Sequence, residues 1–415
     1  MNLGIVVTVP LLIGLCVMAT KSWILTDVPR EVHLEGFSMT SAELKLPGEV
    51  SWTISKRTLR GGLREGVEVI DVHNGALGFT IVTTRGMGIW KGSYRGLALG
   101  WNAPVRGPVH PQFVNLLDRG GLGWLQGFDE WIVRCGLDSN GAPGPDVVAD
   151  NNGNPITINL TLHGKIANLP AHFVEIEAQT DPPYEIAVIG HVEESALFCP
   201  QLELRTRIST RPGTNRLTIA DEVVNRKATP SELQLLYHCN FGGPLLDEGA
   251  RLLAPAREVA PRDSRAAEGI DHFDTYLRPT AGFVEQVFWH DLNADPETHQ
   301  TLAMLRNSAG NRAAVLRYDK RQLPCFSQWK NTGALEDGYV TGLEPATNFP
   351  NTRKFEREQG RVARIKPGES YRSTLAVEVC SSTEEVAAVE KKIAGLRAMA
   401  QPTIYAKPQP RYSPR

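Results

Sequence analysis

The 415-residue sequence has no C-x-x-C pair, no run of Lys or Arg, and few segments that read as helix. Each absence excludes a class of protein. Cys16, Cys135, Cys199, Cys239, Cys325 and Cys380 are scattered at no metal-ligand spacing, so neither a disulfide framework nor a metal centre is expected, and a reducing compartment fits. A net charge of -2 with no basic stripe removes the electrostatic attraction that nucleic-acid binding requires. The chain lacks a P-loop, a G-x-G-x-x-G after a strand, H-E-x-x-H and G-x-S-x-G. "GGLGWLQGF" is glycine-rich but follows no βαβ unit. There is no repeat of fixed period and no linker long enough to divide a core. What is present is 41% hydrophobic and 22% charged, an ordinary globular balance, in a chain long enough for one large core or two.

One long apolar run exists, at the N-terminus. "LGIVVTVPLLIGLCVMA" has the length of a signal peptide, but no basic residue precedes it and Pro10 interrupts it. It is short for a spanning helix. Residues 1–29 therefore read as an apolar segment that is either a signal or an over-long gene start, with Met18 as the natural beginning. The expectation is a cytoplasmic protein with no stable membrane association, or an exported one if the segment is a real signal.

From residue 30 onward short segments rich in β-branched residues alternate with Gly, Pro, Asn and Asp. "ITINLTLHG", "HFVEIEAQ", "YEIAVIGHV", "LELRTRIST", "RLTIADEVVN", "LQLLYHCN" and "YRSTLAVEV" are strand-like. "STRPGTNRL" supplies a turn between two of them. A helix is expected over 382 to 400, capped by Ser382 or Thr383, with Glu384 and Glu385 near its N-terminus and Lys391, Lys392 and Arg397 toward its C-terminus. The Pro-rich 401–415 reads as a disordered tail or a docked strap. Many evenly spaced strands with little helix imply an all-β fold, a large antiparallel β-sandwich over 30–400.

Three polar residues end strands: His163 in "LTLHGKIANLPAHF", His238 in "LLYHCNFGG" and Glu344 in "YVTGLEPATNFPNTRKF". Taken singly, each is as well explained as a hydrogen-bonded structural residue. Met87 and the tryptophans Trp90, Trp101, Trp124, Trp131, Trp289 and Trp329 read first as packing.

Together these segments resemble the aldose 1-epimerase (galactose mutarotase) family. "LTIADEVVNRKATPSELQLLYHCNFGGPLL" is similar to the part of that family where two strands lead into an N-H-x-Y-F-N-L-type motif. His238 and Asn240-Phe241 fall on that motif, although Tyr237 stands where the family has Asn. "LHGKIANLPAHF" resembles its L-H-G-G segment, and "TGLEPATNFPN" its late strand ending in Glu-Pro. The family's Gly-Arg-Tyr-Ala-Asn-Arg segment is replaced by "GFDEWIVRCGLDSNGAPG", which brings "YHCNFGGPLLDEGARL" and "HGKIANLPA" closer to a divergent DUF4432-type branch. The resemblance spans about residues 65 to 380.

That resemblance implies a mutarotase-like supersandwich and a carbohydrate-active isomerase that interconverts anomers without a cofactor or metal. Glu344 is the expected base, His238 the acid, and His163 an orienting donor or auxiliary acid. Arg134, Lys165, Asn168 and Asn240 are expected to contact the sugar, with Trp329 as a stacking platform. His238 is expected to face an open cleft, kept open by the bend at Gly242-Gly243-Pro244. Two other readings use the same residues: a different acid–base step (isomerisation or elimination) on a modified sugar, and a non-catalytic carbohydrate-binding protein. The expected partner is a small carbohydrate, not nucleic acid, and the expected assembly a monomer or homodimer.

Overall fold

The computed structural model describes residues 19–399 and 401–414; the apolar residues 1–18, with their alternative readings, lie outside the described residues. Alternation along the chain forms the two layers. In Phe173–Gln179 every second residue is buried, and in Gln201–Thr210 Leu202, Leu204 and Ile208 are buried while Arg205 and Arg207 are not. Side chains of opposite character on opposite faces pack one face against a second sheet and leave the other to solvent.

The first sheet has ten strands. Across it run Arg251–Leu253, Gln300–Arg306, Ala313–Asp319, Ser370–Cys380, Arg216–Asn225, Gln201–Thr210, Ile186–Ser195, Phe173–Gln179, Thr20–Asp27 and Val32–His33. The second sheet is larger. Its path runs from Phe37–Thr40 through Gly88–Tyr94, Ile132–Leu137, Ser231–Phe241, Val340–Ala346, Cys325–Asn331 and Gln286–Leu292 to Ala256–Pro261. Pairing is antiparallel, except that Thr403–Ile404 adds in parallel to Ala256–Pro261. One apolar core lies between the sheets, with Ile176, Val188, Leu204 and Ile219 from the first meeting Ile70, Ile89, Leu235 and Leu343 from the second.

The helix expected over 382–400 is Thr383–Arg397, and the Ser382 side chain accepts from the Glu385 N–H. Val386, Val389 and Ile393 recur at helical spacing and pack on Leu302, Met304 and Val315, on the outer face of the first sheet. Folded chain begins upstream of the expected boundary at residue 30: Thr20–Asp27 pairs along the length of Phe173–Gln179. The C-terminal segment is a docked strap. Trp289 Nε1–H donates to Ser413 Oγ at 2.9 Å, Asn351 Nδ2 donates to Tyr412 C=O at 2.9 Å, and the Tyr412 ring lies 5.4 Å from that of Phe349. Five cysteines are free among the described residues, and no helix among them is long and apolar enough to cross a membrane.

Candidate active site

Strand alternation sorts the residues of "LLYHCNF". Leu235, Tyr237, Cys239 and Phe241 turn into the core between the sheets, while Leu236, His238 and Asn240 project from the outer face of the second sheet. Val340–Ala346 pairs with this strand, Cys239 opposite Leu343 and Asn240 opposite Gly342. Glu344 therefore projects from the same outer face. His238 Nε2 and Glu344 Oε1 are 3.3 Å apart.

Gly342 makes that approach possible. A Cβ there would lie 2.7 Å from Glu344 Oε1 and 2.8 Å from His238 Cε1, closer than van der Waals contact allows. Gly342→Ala is expected to push the two groups apart. Any proton transfer run by the pair should slow by roughly 10-fold to 100-fold, the cost of a misplacement near 1 Å, with a stability loss of about 1–3 kcal/mol from overpacking. Steady-state rates and thermal melts would check this; an unchanged rate would show that the spacing of the pair does not matter.

His163 arrives from a loop. Its N–H donates to Gly141 C=O and its C=O accepts from Gly136 N–H, which fixes it beside Ile132–Leu137. The residue sits in the left-handed region, φ +57°, a strained conformation for a non-glycine residue and one often found at functional positions. The following glycine has no room for a side chain, since a Cβ on Gly164 would lie 2.0 Å from Ser139 C=O. Asn140 and Asn348, both fully buried, exchange side-chain amide hydrogen bonds of 3.0 and 2.9 Å. They bolt the His163 loop to the chain just beyond Glu344. His163 and His238 rings lie 5.4 Å apart, edge to face.

The hydrogen bonds settle the tautomers. Asn240 Nδ2 donates to Glu130 C=O and His238 C=O, so Asn240 Oδ1 is the acceptor facing His238 Nδ1 at 2.6 Å. His238 Nδ1 thus carries the proton and Nε2, toward Glu344, is bare in the neutral ring. His163 Nδ1 likewise donates to Asn140 C=O at 2.8 Å, leaving its Nε2 without a proton.

Burial then sets the charges. Desolvation raises Glu344 to about 8, reinforced by the Glu285 carboxylate and opposed by Arg262. Burial pushes His238 well below its ordinary range, and neighbouring His163 pushes it the same way against the Asn240 hydrogen bond. Burial lowers His163 to about 4.

Aromatic rings surround the group. Trp124 lies 4.6 Å from His163, Phe128 5.0 Å from His238, and Trp329 5.5 Å from His238. Trp329 Nε1–H donates to Glu285 Oε2 at 2.7 Å, and Arg262 Nη2 donates to Glu285 Oε1 at 2.9 Å. His163, His238 and Glu344 lie deep among these rings, 9%, 4% and 3% exposed. They form a floor flanked by Trp124, Phe128 and Trp329.

The remaining expected contacts divide. Asn240 is fully buried and holds His238 by its Oδ1, so it orients a ring and does not face solvent. Asn168 Oδ1 accepts from Arg85 Nη1, while its Nδ2 is buried without a hydrogen-bond partner among the described residues. Lys165 is exposed, and its charge acts on the buried Glu194 of the first sheet.

Arg134 is a correction. It pairs in register with Tyr237, one residue before His238, and therefore points the opposite way. Between the sheets its Nε and Nη2 bind Asp221 at 2.5 and 2.9 Å, and Nη2 also donates to Thr206 Oγ1 at 2.6 Å. It is a core ion pair, out of reach of anything bound over His238.

Gly342, the Asn140–Asn348 pair, Phe128 and the Arg262–Glu285 pair were not read from the sequence. The Gly in "TGLEP" was the one legible signal among them, two residues before the carboxylate on an otherwise apolar strand.

Comparison with known proteins agrees with this architecture. The family model described as "Domain of unknown function (DUF4432)" matches residues 64–379. No curated protein matches the chain. A solved structure from Klebsiella pneumoniae, named "putative aldose 1-epimerase", is 37% identical, covering 94% of this chain and 99% of its own, with a TM-score of 0.88. A galactose mutarotase-like protein from Clostridium acetobutylicum is 15% identical, covering 79% and 98%, with a TM-score of 0.54. Galactose 1-epimerase from Lactobacillus acidophilus is 11% identical, covering 79% and 99%, with a TM-score of 0.50. The last two share the galactose mutarotase-like fold.

Proposed function

Because the chain belongs to the DUF4432 family, whose description assigns no activity, we propose its function from the site itself: it interconverts the anomers of a sugar or sugar derivative. The observation that carries this reading is the 3.3 Å approach of Glu344 Oε1 to a bare His238 Nε2, both groups buried among aromatic rings. The name of the 37% identical Klebsiella protein supports it.

Mutarotation needs one proton given to the ring oxygen and one taken from the anomeric hydroxyl. The pair holds one proton to give and one lone pair to accept. With Glu344 raised to about 8 and His238 lowered, that proton rests on Glu344 at neutral pH. Glu344 then protonates the ring oxygen as His238 Nε2 accepts the proton of the C1 hydroxyl. The C1–ring oxygen bond breaks, C1 becomes a carbonyl, and the C1–C2 bond rotates. On closure the hydroxyl returns its proton to Glu344 while His238 reprotonates the carbonyl oxygen. These starting roles reverse those implied by the family resemblance, and microscopic reversibility makes each residue acid and base in turn. His163, neutral with a bare Nε2, accepts a sugar hydroxyl and serves as neither donor nor auxiliary acid. Trp329, Trp124 and Phe128 offer apolar faces to the ring.

NMR saturation transfer between anomers, across hexoses, pentoses and uronic acids, tests the proposal. Accelerated exchange of one stereochemical class is expected. Binding without exchange would favour the carbohydrate-binding reading, and a new product would favour isomerisation or elimination by the same pair.

The rate should also depend on pH in a stated direction. As pH rises through about 8 the pair loses its one proton, so the rate should fall, approaching tenfold per unit. The acid limb should lie well below 6.5, where a second proton reaches His238. A rate that climbs through pH 8 would contradict the shared-proton account.

A further inference from the structure

The other side of the sandwich carries a second cluster of proton-binding side chains. In Ile186–Ser195 and Gln201–Thr210 the buried Val188, Val192, Leu202 and Leu204 enter the core, so His191 and Glu203 point outward from the first sheet. His172 immediately precedes Phe173–Gln179, whose first residue pairs with His191, and its N–H donates to His191 C=O at 2.9 Å. His172 Nε2 and His191 Nδ1 lie 3.6 and 3.7 Å from one oxygen, Glu203 Oε1. All three donor atoms fall within 4.8 Å of one another.

These separations exceed hydrogen-bond length. They are close to the roughly 3.3 Å between ligand atoms that bonds of about 2.0–2.1 Å impose in a tetrahedral zinc site. The other carboxylate oxygen is occupied: Arg205 Nε and Nη2 donate to Glu203 Oε2 at 3.1 and 2.9 Å, and Arg226 Nη1 at 3.4 Å. Held this way, Oε1 is turned toward both imidazoles, the kind of outer support that orients metal-binding carboxylates. His172 Nε2 is shielded from solvent and makes no hydrogen bond among the described residues. A ring nitrogen buried without a partner is costly and points to a ligand.

We propose that His172, His191 and Glu203 bind one divalent transition-metal ion of the zinc class. Two imidazoles and a carboxylate suit zinc, cobalt, nickel or copper better than magnesium or calcium. The histidine side chains are 28% and 26% exposed, so a fourth position is open to water or a small anion. The ion ties three neighbouring segments together: the entry to Phe173–Gln179, the middle of Ile186–Ser195 and the start of Gln201–Thr210. It lies on the opposite face of the sandwich from Glu344 and takes no part in proton transfer there. Sequence spacing gave no hint of it, because His172 precedes one strand while His191 and Glu203 lie on two others.

The test uses the full chain, stripped with a chelator and titrated with zinc sulfate or cobalt chloride, in wild type and in His172→Ala and His191→Ala. One equivalent should bind, cobalt should give the visible bands of a low-coordinate site, and melting should rise until the site is saturated. Each substitution should weaken binding by roughly 100-fold or more, with circular dichroism unchanged. Absence of stoichiometric binding in folded wild type would overturn the proposal, as would unchanged binding in both folded variants.

Discussion

Glu344→Gln is expected to lower turnover by about 10²–10⁴-fold, the usual worth of a positioned acid–base group, while making the protein more stable. The first effect follows from chemistry, because the amide keeps the shape but neither yields nor takes a proton. The second follows from burial. Glu344 is raised from 4.5 to about 8 in the folded protein. Below pH 4.5 the carboxyl is neutral in folded and unfolded chains alike and costs nothing. Between 4.5 and 8 the unfolded chain ionises and the folded one does not, so stability falls as pH rises across that window. Above 8 the whole cost is present. Removing the carboxylate should recover roughly 3 kcal/mol at pH 7, and almost nothing near pH 4. Denaturant melts at the two pH values would check this. A variant with wild-type turnover, or one destabilised at pH 7, would mean that Glu344 is a structural residue held by its partners.

Arg134→Met should do the reverse. Breaking a buried ion pair strands its partner, here Asp221, whose remaining support is the Tyr237 hydroxyl at 2.8 Å. The expected cost is about 3–5 kcal/mol, with KM and turnover of the folded fraction close to wild type. A rise in KM at unchanged stability would instead restore Arg134 to the substrate.

These two residues show how much of the site was legible in the sequence. His163, His238 and Glu344 could be named because each stands on an apolar stretch near a turn signal and because the family resemblance orders them. The strands nonetheless run past His238 to Phe241 and past Glu344 to Ala346, and His163 lies in the loop after Pro155–Leu160. Arg134 misled because a residue's face depends on register. In Ile132–Leu137 every residue is buried, so no alternation of polar and apolar side chains reveals which way Arg134 points. Pairing with Tyr237 decides it. The aromatic surround was hidden for a similar reason: Trp124 and Phe128 come from the short 3-10 turn Gly123–Gly127 and its end, whose path is set by tertiary contacts such as the bond from Arg85 to Gly127 C=O. Strand existence and the single long helix, by contrast, rest on local patterns and caps that are written in the chain.

The most direct measurement of the shared-proton account is a double-mutant cycle on anomer exchange with Glu344→Gln, His238→Asn and the two combined. If one proton is passed between the two groups, either loss disables the whole relay. The double variant should then be within a fewfold of the worse single one. Losses that multiply, as they do for residues acting independently, would contradict the account.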